Sequence, residues 1–253
     1  MDRNANFFTI LLVMVGGLAA WASPSFGEAI YGIDAFTTSQ SVSVLEGTAT
    51  ATTASAGAIG GYRTLSITSA GNPDVTSTLN VSSGTTNRIN LSSPTDATAS
   101  FEVIWGGANG TAGLGGIDIT SGWPDLSGSS LQFKQRSADF ASNFTWTFTD
   151  TTNKTAFYTG TLPVKSSSTA TTQFSIPFSS FTSQSSFNWT SIDFIKLSGG
   201  NVLELDISLT APMQIVTVPE PSAYVMALVG AVAAFGVPRF VARTAAVRRR
   251  TTA

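Results

Sequence analysis

The segment Asn143–Asp150 reads Asn-Phe-Thr-Trp-Thr-Phe-Thr-Asp. In an extended chain it puts Phe144, Trp146 and Phe148 on one side and Thr145, Thr147 and Thr149 on the other. Side chains of a strand alternate with period two, so this segment is a half-buried antiparallel strand. Similar runs rich in β-branched and aromatic residues recur at 62–68, 100–105, 131–136, 154–162, 172–176, 190–198 and 202–209. Within 190–198, Ile192, Phe194 and Lys196 share one face, with Asp193, Ile195 and Leu197 opposite. Turn-forming residues stand between the runs, as in Ala70-Gly71-Asn72-Pro73-Asp74, Ser83-Gly84 and Asn109-Gly110. No window between them carries a convincing 3.6-residue apolar period. About ten strands in one domain predict an all-β fold, a single jelly-roll-like two-sheet sandwich spanning residues 28–217. The low-complexity stretches Thr48–Gly57 and Ser166–Thr172 are expected to be loops.

Both ends differ from this body. Phe7–Ala20 is an uncharged apolar run of fourteen residues preceded by Arg3 and followed by Ala20-Trp21-Ala22. That length suits a signal peptide and is short for a membrane span. Cleavage by signal peptidase is expected after Ala22, giving a 1–22 leader, with Gly27 as the second choice. Retention as an N-terminal anchor is the alternative, which Gly16, Gly17 and Pro24 disfavour because they weaken a helix.

The last 36 residues have three parts. Val218, Pro219, Glu220 and Pro221 form a stiff extended motif, because each proline fixes its own φ and biases the residue before it. Ala223–Val237 then runs fifteen residues without a charge; continued to Ala242 it makes a transmembrane helix over 223–242, about 30 Å long, with Arg239 at the interface. Arg239, Arg243, Arg248, Arg249 and Arg250 form a basic end over 239–250. A basic cluster directly after a span stays in the cytoplasm, so this anchor leaves the body outside, in agreement with the leader.

This three-part tail over 218–253 resembles the PEP-CTERM sorting signal carried by exported proteins of Gram-negative bacteria. The resemblance covers under a seventh of the chain, and Pro238 near the end of the span is its one departure. It implies that an exosortase-type enzyme recognises Pro219, Glu220 and Pro221 and cuts near them. It also implies inner-membrane anchoring before processing and a cell-surface or extracellular destination after it. A plain tail anchor preceded by a proline-rich linker is the other reading. A softer resemblance lies in the body: Gly60–Ile67, Phe101–Gly107, Gly115–Thr120 and Thr190–Gly200, in that order, look like jelly rolls of the carbohydrate-binding-module type.

Between residues 28 and 217 there are 13 acidic and 7 basic side chains, a net of −6 (7 − 13), and 61 Ser and Thr. An acidic body repels phosphate, so no nucleic acid partner is expected. The chain has no Cys and no His, which removes the commonest zinc ligands, the thiol nucleophile and the usual triad base. Two carboxylates would suffice for a glycosidase. Asp34, Glu46, Glu102, Asp118, Asp125, Asp193, Glu204 and Asp206 are scattered without a recognisable spacing, so no catalytic residue is assigned and no enzyme is expected. No cofactor is expected beyond a candidate structural calcium ion, held by Asp34 and Asp206 if the first and last strands pair. Sugar binding would use aromatic faces, and Trp123, Tyr62 and Trp105 are the candidates. Trp123 is flanked by turn residues in Ser121-Gly122-Trp123-Pro124-Asp125, whereas Trp146 alternates with Phe144 and Phe148 and is expected in the core. The leading expectation is an exported structural or exopolysaccharide-associated surface protein. A carbohydrate-binding module is the alternative and a hydrolase is a third.

Overall fold

The computed structural model describes residues 29–120, 126, 128–166 and 170–217. The 1–22 leader and the 218–253 tail lie outside the described residues, as do Trp123 and Asp125. The described residues belong to one compact unit, Glu28–Thr217.

Fourteen strands are described, and no α-helix. They are β1 (Ala29–Asp34), β2 (Gln40–Val44), β3 (Gly47–Ala54), β4 (Tyr62–Ala70), β5 (Ser77–Ser82), β6 (Arg88–Ser92) and β7 (Thr98–Trp105). Then follow β8 (Ser129–Ala138), β9 (Ser142–Asp150), β10 (Thr155–Leu162), β11 (Thr172–Pro177), β12 (Thr182–Ser183), β13 (Ile192–Leu203) and β14 (Asp206–Thr217). Sheet I has the order β11-β8-β14-β6-β5-β2, with β1 also on β14; sheet II runs β12-β10-β9-β13-β7-β4-β3. Every pairing is antiparallel, and the chain passes repeatedly between the sheets, the jelly-roll-like sandwich that the alternation predicts.

β14 is long enough to serve two neighbours on one edge. Its residues 206–210 pair with β6, and 213–216 pair with β1. Pro212 sits at the changeover, where its missing N–H leaves no gap in a ladder.

Side-chain alternation builds the core. Phe144, Trp146 and Phe148 of β9 all point inward. Trp146 stacks on Trp105 of β7 at 5.6 Å between centroids. Phe133 reaches across from sheet I to Phe144 at 5.3 Å and to Trp146 at 6.0 Å, so aromatic rings join the two sheets.

Three expectations need correction. Thr48–Gly57 is largely strand β3, because Thr and Ala alternate there: Ala49 and Ala51 pack on the core, while Thr48, Thr50 and Thr52 face out and pair with hydroxyls of β4. The run 202–209 is cut in two. Glu204 adopts φ 56, and Glu204 and Leu205 turn the chain from β13 into β14. In β13 a bulge between Ile192 and Phe194 moves Ile192 to the buried side with Ile195 and Leu197, leaving Phe194 and Lys196 on the other.

Candidate functional site

Five of the candidate carboxylates, Asp34, Glu102, Asp118, Asp193 and Glu204, make contacts within the fold. Asp34 and Asp206 lie on strands that do pair, but the register sets Asp34 opposite Met213. Seven residues along a strand is about 23 Å, so the two carboxylates cannot share a calcium ion. Asp34 instead has a cation of the chain's own: Arg63 Nη1 lies 2.8 Å from its Oδ2, both side chains fully buried. Trp105 Nε1 donates to the same oxygen at 2.8 Å, and the amide of Phe36 donates to Oδ1 at 2.7 Å. Among the described residues no group of three or more potential metal ligands gathers. Asp118 caps its own turn by accepting from the Thr120 amide and hydroxyl, Asp193 accepts from the Gly115 amide, and Glu204 accepts from the Asp96 amide. Glu102 pairs with Lys196 at 2.9 Å in a half-exposed position.

Asp150 is a structural residue that sequence reading misses, although Asp-Thr-Thr-Asn-Lys after a strand is the mark of an Asx turn. Its Oδ1 accepts from the Thr152 amide (2.8 Å), the Thr152 hydroxyl (2.7 Å) and the Lys154 amide (3.0 Å); Oδ2 accepts from the Asn188 amide (3.0 Å). Burial alone would raise its pKa, but these hydrogen bonds outweigh it and hold the carboxyl below the usual aspartate range.

Of the aromatic candidates, Trp105 and Tyr62 are described, and they do not share a face; Trp123 lies outside the described residues. Trp105 is in the core with its ring against Trp146, so it presents no face to a sugar. Tyr62 is half-buried at the start of β4 and, by strand alternation, on the opposite side of sheet II from inward-pointing Arg63, whose register partner is Trp105.

What the fold does assemble is a polar surface on the outer face of sheet I. One row of register partners crosses five strands: Gln173 on β11, Lys134 on β8, Thr210 on β14, Arg88 on β6 and Ser82 on β5. The neighbouring row holds Ser41 on β2, Asn80 on β5, Asn90 on β6, Ser208 on β14 and Ser137 on β8. Each row spans four strand spacings, about 19 Å. Amides are placed by neighbours: Asn90 Nδ2 donates to Asn80 Oδ1 at 3.0 Å, and Gln173 Nε2 to Gln132 Oε1 at 2.8 Å. Alternation explains the placement, because Ile89, Leu91, Phe133 and Leu209 take the intervening inward positions.

The centre of this face is under-satisfied. Arg88 Nε, Thr210 Oγ1 and Ser208 Oγ are shielded from water and have no hydrogen-bond partner. Buried polar atoms are normally paired, and three orphans side by side are unusual. Beside them an open groove of about 470 Å³ is lined by Thr85, Thr86, Asn87, Arg136, Thr210 and Pro212, among others. Sequence reading missed this site because no short motif carries it; it exists only once five strands are in register.

No family model matches the chain, and no curated protein matches it. Solved structures do. The family 11 carbohydrate-binding module of the cellulosomal cellulase Lic26A-Cel5E of Clostridium thermocellum is 13% identical, over 74% of this chain and 94% of that one, with a TM-score of 0.35. The family 30 module of the cellulosomal cellulase Cel9D-Cel44B of the same organism is 10% identical, over 70% of this chain and 98% of that one, with a TM-score of 0.38. PfGH50B is 10% identical over 61% of this chain, with a TM-score of 0.40, and the match spans 23% of its length.

Proposed function

We propose that this chain is an exported cell-surface or matrix protein whose β-sandwich is a non-catalytic carbohydrate-binding module. The outer face of sheet I is its binding surface. The observation that carries this reading is the pair of five-strand polar rows, with unpartnered buried atoms at Ser208, Thr210 and Arg88 and a groove alongside. Saccharides offer hydroxyls that both donate and accept, which is the chemistry this face lacks partners for. A row about 19 Å long fits an oligosaccharide rather than a single sugar. A sheet with pre-placed amides loses little side-chain freedom on binding. The leader, the Pro219-Glu220-Pro221 motif, the apolar run and the arginine end support delivery outside the inner membrane, processing by signal peptidase and an exosortase-type enzyme, and association with exopolysaccharide.

The test is a glycan array probed with the full-length chain and with Thr210→Val. Valine keeps the shape and removes the orphan hydroxyl. Binding is expected to fall about tenfold, in line with loss of one hydrogen bond of about 1.4 kcal/mol, while the melting midpoint holds or rises. An array on which the unaltered chain retains no glycan overturns the proposal, and a structural matrix role without a ligand takes its place.

A further inference from the structure

Seven basic side chains serve the body, and their distribution is uneven. Arg63 is buried against Asp34, and Lys196 is paired with Glu102. Lys154 Nζ reaches the carbonyl of Ser186 at 3.5 Å. Three of the remaining four, Arg88, Lys134 and Arg136, fall together on β6 and β8 of sheet I, on either side of Thr210. Arg88 and Lys134 are both register partners of Thr210, so their backbones are about 10 Å apart. Arg136 lines the groove next to Thr210. Neither polar row contains a carboxylate, and the two ion pairs among the described residues involve none of these three.

Three like charges so close repel one another, and Arg88 carries its charge partly out of water with Nε unpartnered. Among the described residues no carboxylate forms an ion pair with these three cations, although Asp206 lies on the same face of β14, four residues from Thr210. The domain has a net charge of −6, so this is a local positive field on an otherwise acidic body. Guanidinium forks match planar carboxylates and sulfate oxygens, and a lysine adds a point charge.

We propose that the outer face of sheet I selects an anionic saccharide, a polysaccharide bearing carboxylates or sulfate esters, with Arg88, Lys134 and Arg136 facing its charged groups and Thr210 and Ser208 facing its hydroxyls. This rests on the carbohydrate-binding reading and names its ligand class. The acidic body elsewhere disfavours nucleic acid, whose phosphates need a broad basic footprint.

The experiment is biolayer interferometry of the full-length chain against polygalacturonate, dextran sulfate, unmodified dextran and single-stranded DNA at two salt concentrations. Expected are binding to polygalacturonate or dextran sulfate that weakens as salt rises, and at least tenfold weaker binding to dextran and DNA. The two anionic arms separate a carboxylate from a sulfate requirement. Arg88→Gln, Lys134→Gln and Arg136→Gln should each lose about tenfold, and the triple variant all measurable binding. Lys154→Gln and Lys196→Gln, both at strands of sheet II, change net charge equally away from the face and should keep affinity within twofold. Circular dichroism melts report whether each variant is folded. Arg88→Lys keeps the charge without the fork and should fall between the native chain and Arg88→Gln. Equal binding to dextran and polygalacturonate, or equal losses in face and control variants, overturns the anionic selectivity and leaves the carbohydrate reading standing. Binding to no polysaccharide overturns both. DNA bound as tightly as the polyuronate overturns the saccharide assignment.

Discussion

Replacing Arg63 by methionine should destabilise the domain far more than replacing Arg63 and Asp34 together. Arg63 is fully buried and donates to Asp34 Oδ2 at 2.8 Å, Gln40 Oε1 at 3.0 Å and the Thr38 carbonyl at 2.6 Å. Gln40 in turn donates to the Ala51 carbonyl at 2.8 Å. The network ties β1 and β2 of sheet I to β3, β4 and β7 of sheet II through the interior. The substitution Arg63→Met would leave the Asp34 carboxylate buried with only two donors, the Phe36 amide and the Trp105 indole. Breaking a buried pair on one side costs about 3–5 kcal/mol. For a domain of this size each kcal/mol is about 2–4 °C of Tm, so the midpoint should fall by about 6–20 °C. In the double variant Asp34→Asn/Arg63→Met the interior charge is gone on both sides; the asparagine oxygen can accept from the Phe36 amide or the Trp105 indole, and the other N–H is left unpaired. The double variant should regain part of the loss, because an unpaired neutral donor costs less than an unpaired buried charge. Differential scanning calorimetry and urea melts of both single variants and the double close the cycle. If the two single losses simply add, with coupling under about 0.5 kcal/mol, the charges are not coupled and the reasoning fails.

Other outcomes follow from the same contacts. Asp150 has a folded pKa below its unfolded value near 3.9, so its contribution is complete above that value and is lost as pH falls through the folded pKa. Asp150→Asn should therefore lower Tm at pH 6 and flatten its decline between pH 5 and pH 2, read from melts across that range; a parallel decline counts against it. Since Asp34 and Asp206 cannot share an ion, Asp206→Asn should abolish no calcium effect on Tm, whereas a chelator-dependent shift lost in that variant would restore the calcium reading. Gly107→Ala should cost stability, because a Cβ there overlaps the Gly113 carbonyl where the 106–116 loop folds back on itself; an unchanged urea midpoint contradicts that packing. Lys196→Gln should move stability by under about 1 kcal/mol, the usual worth of a half-exposed pair.

Strand existence was legible where alternation was strong, as in β9, where three aromatics and three threonines define both faces. It failed where the apolar residues were small. β3 has only small residues, Ala49, Ala51 and Thr53, on its inner face, and Thr-Ala repeats look like a linker until β4 supplies a partner. Inside and outside were legible as a period but not through a bulge: one extra residue after Ile192 reversed the assignment of that side chain. The metal candidates show the same limit. The first and last strands do pair, which was the condition for a shared ion, but register decides which residues meet, and sequence does not carry register. The ligand candidates were aromatic because aromatics are conspicuous in a sequence, whereas five ordinary residues on five strands are not.

Cross-strand hydroxyl pairs occur in both sheets, as between Ser43 and Thr78 in sheet I, but the centre of sheet I departs from that pattern. On sheet II, Thr48 bonds Thr68, Thr50 bonds Ser66, Thr52 bonds Thr64 and Thr145 bonds Thr159, all hydroxyl to hydroxyl across neighbouring strands. Such pairs stabilise the sheet and satisfy themselves, leaving little directional demand for a ligand. On sheet I, Ser208 and Thr210 have no such partner, because their register neighbours are Asn90, Ser137, Arg88 and Lys134; the Asn90 amide is already engaged by Asn80, and the long cations do not close on them. A hydroxyl-rich surface therefore becomes a candidate site when its hydroxyls face side chains that do not bond them. Transplanting the sheet II solution, with Arg88→Thr opposite Thr210, should stabilise the domain and weaken saccharide binding at once. Opposite signs for stability and affinity distinguish a binding face from a merely polar one.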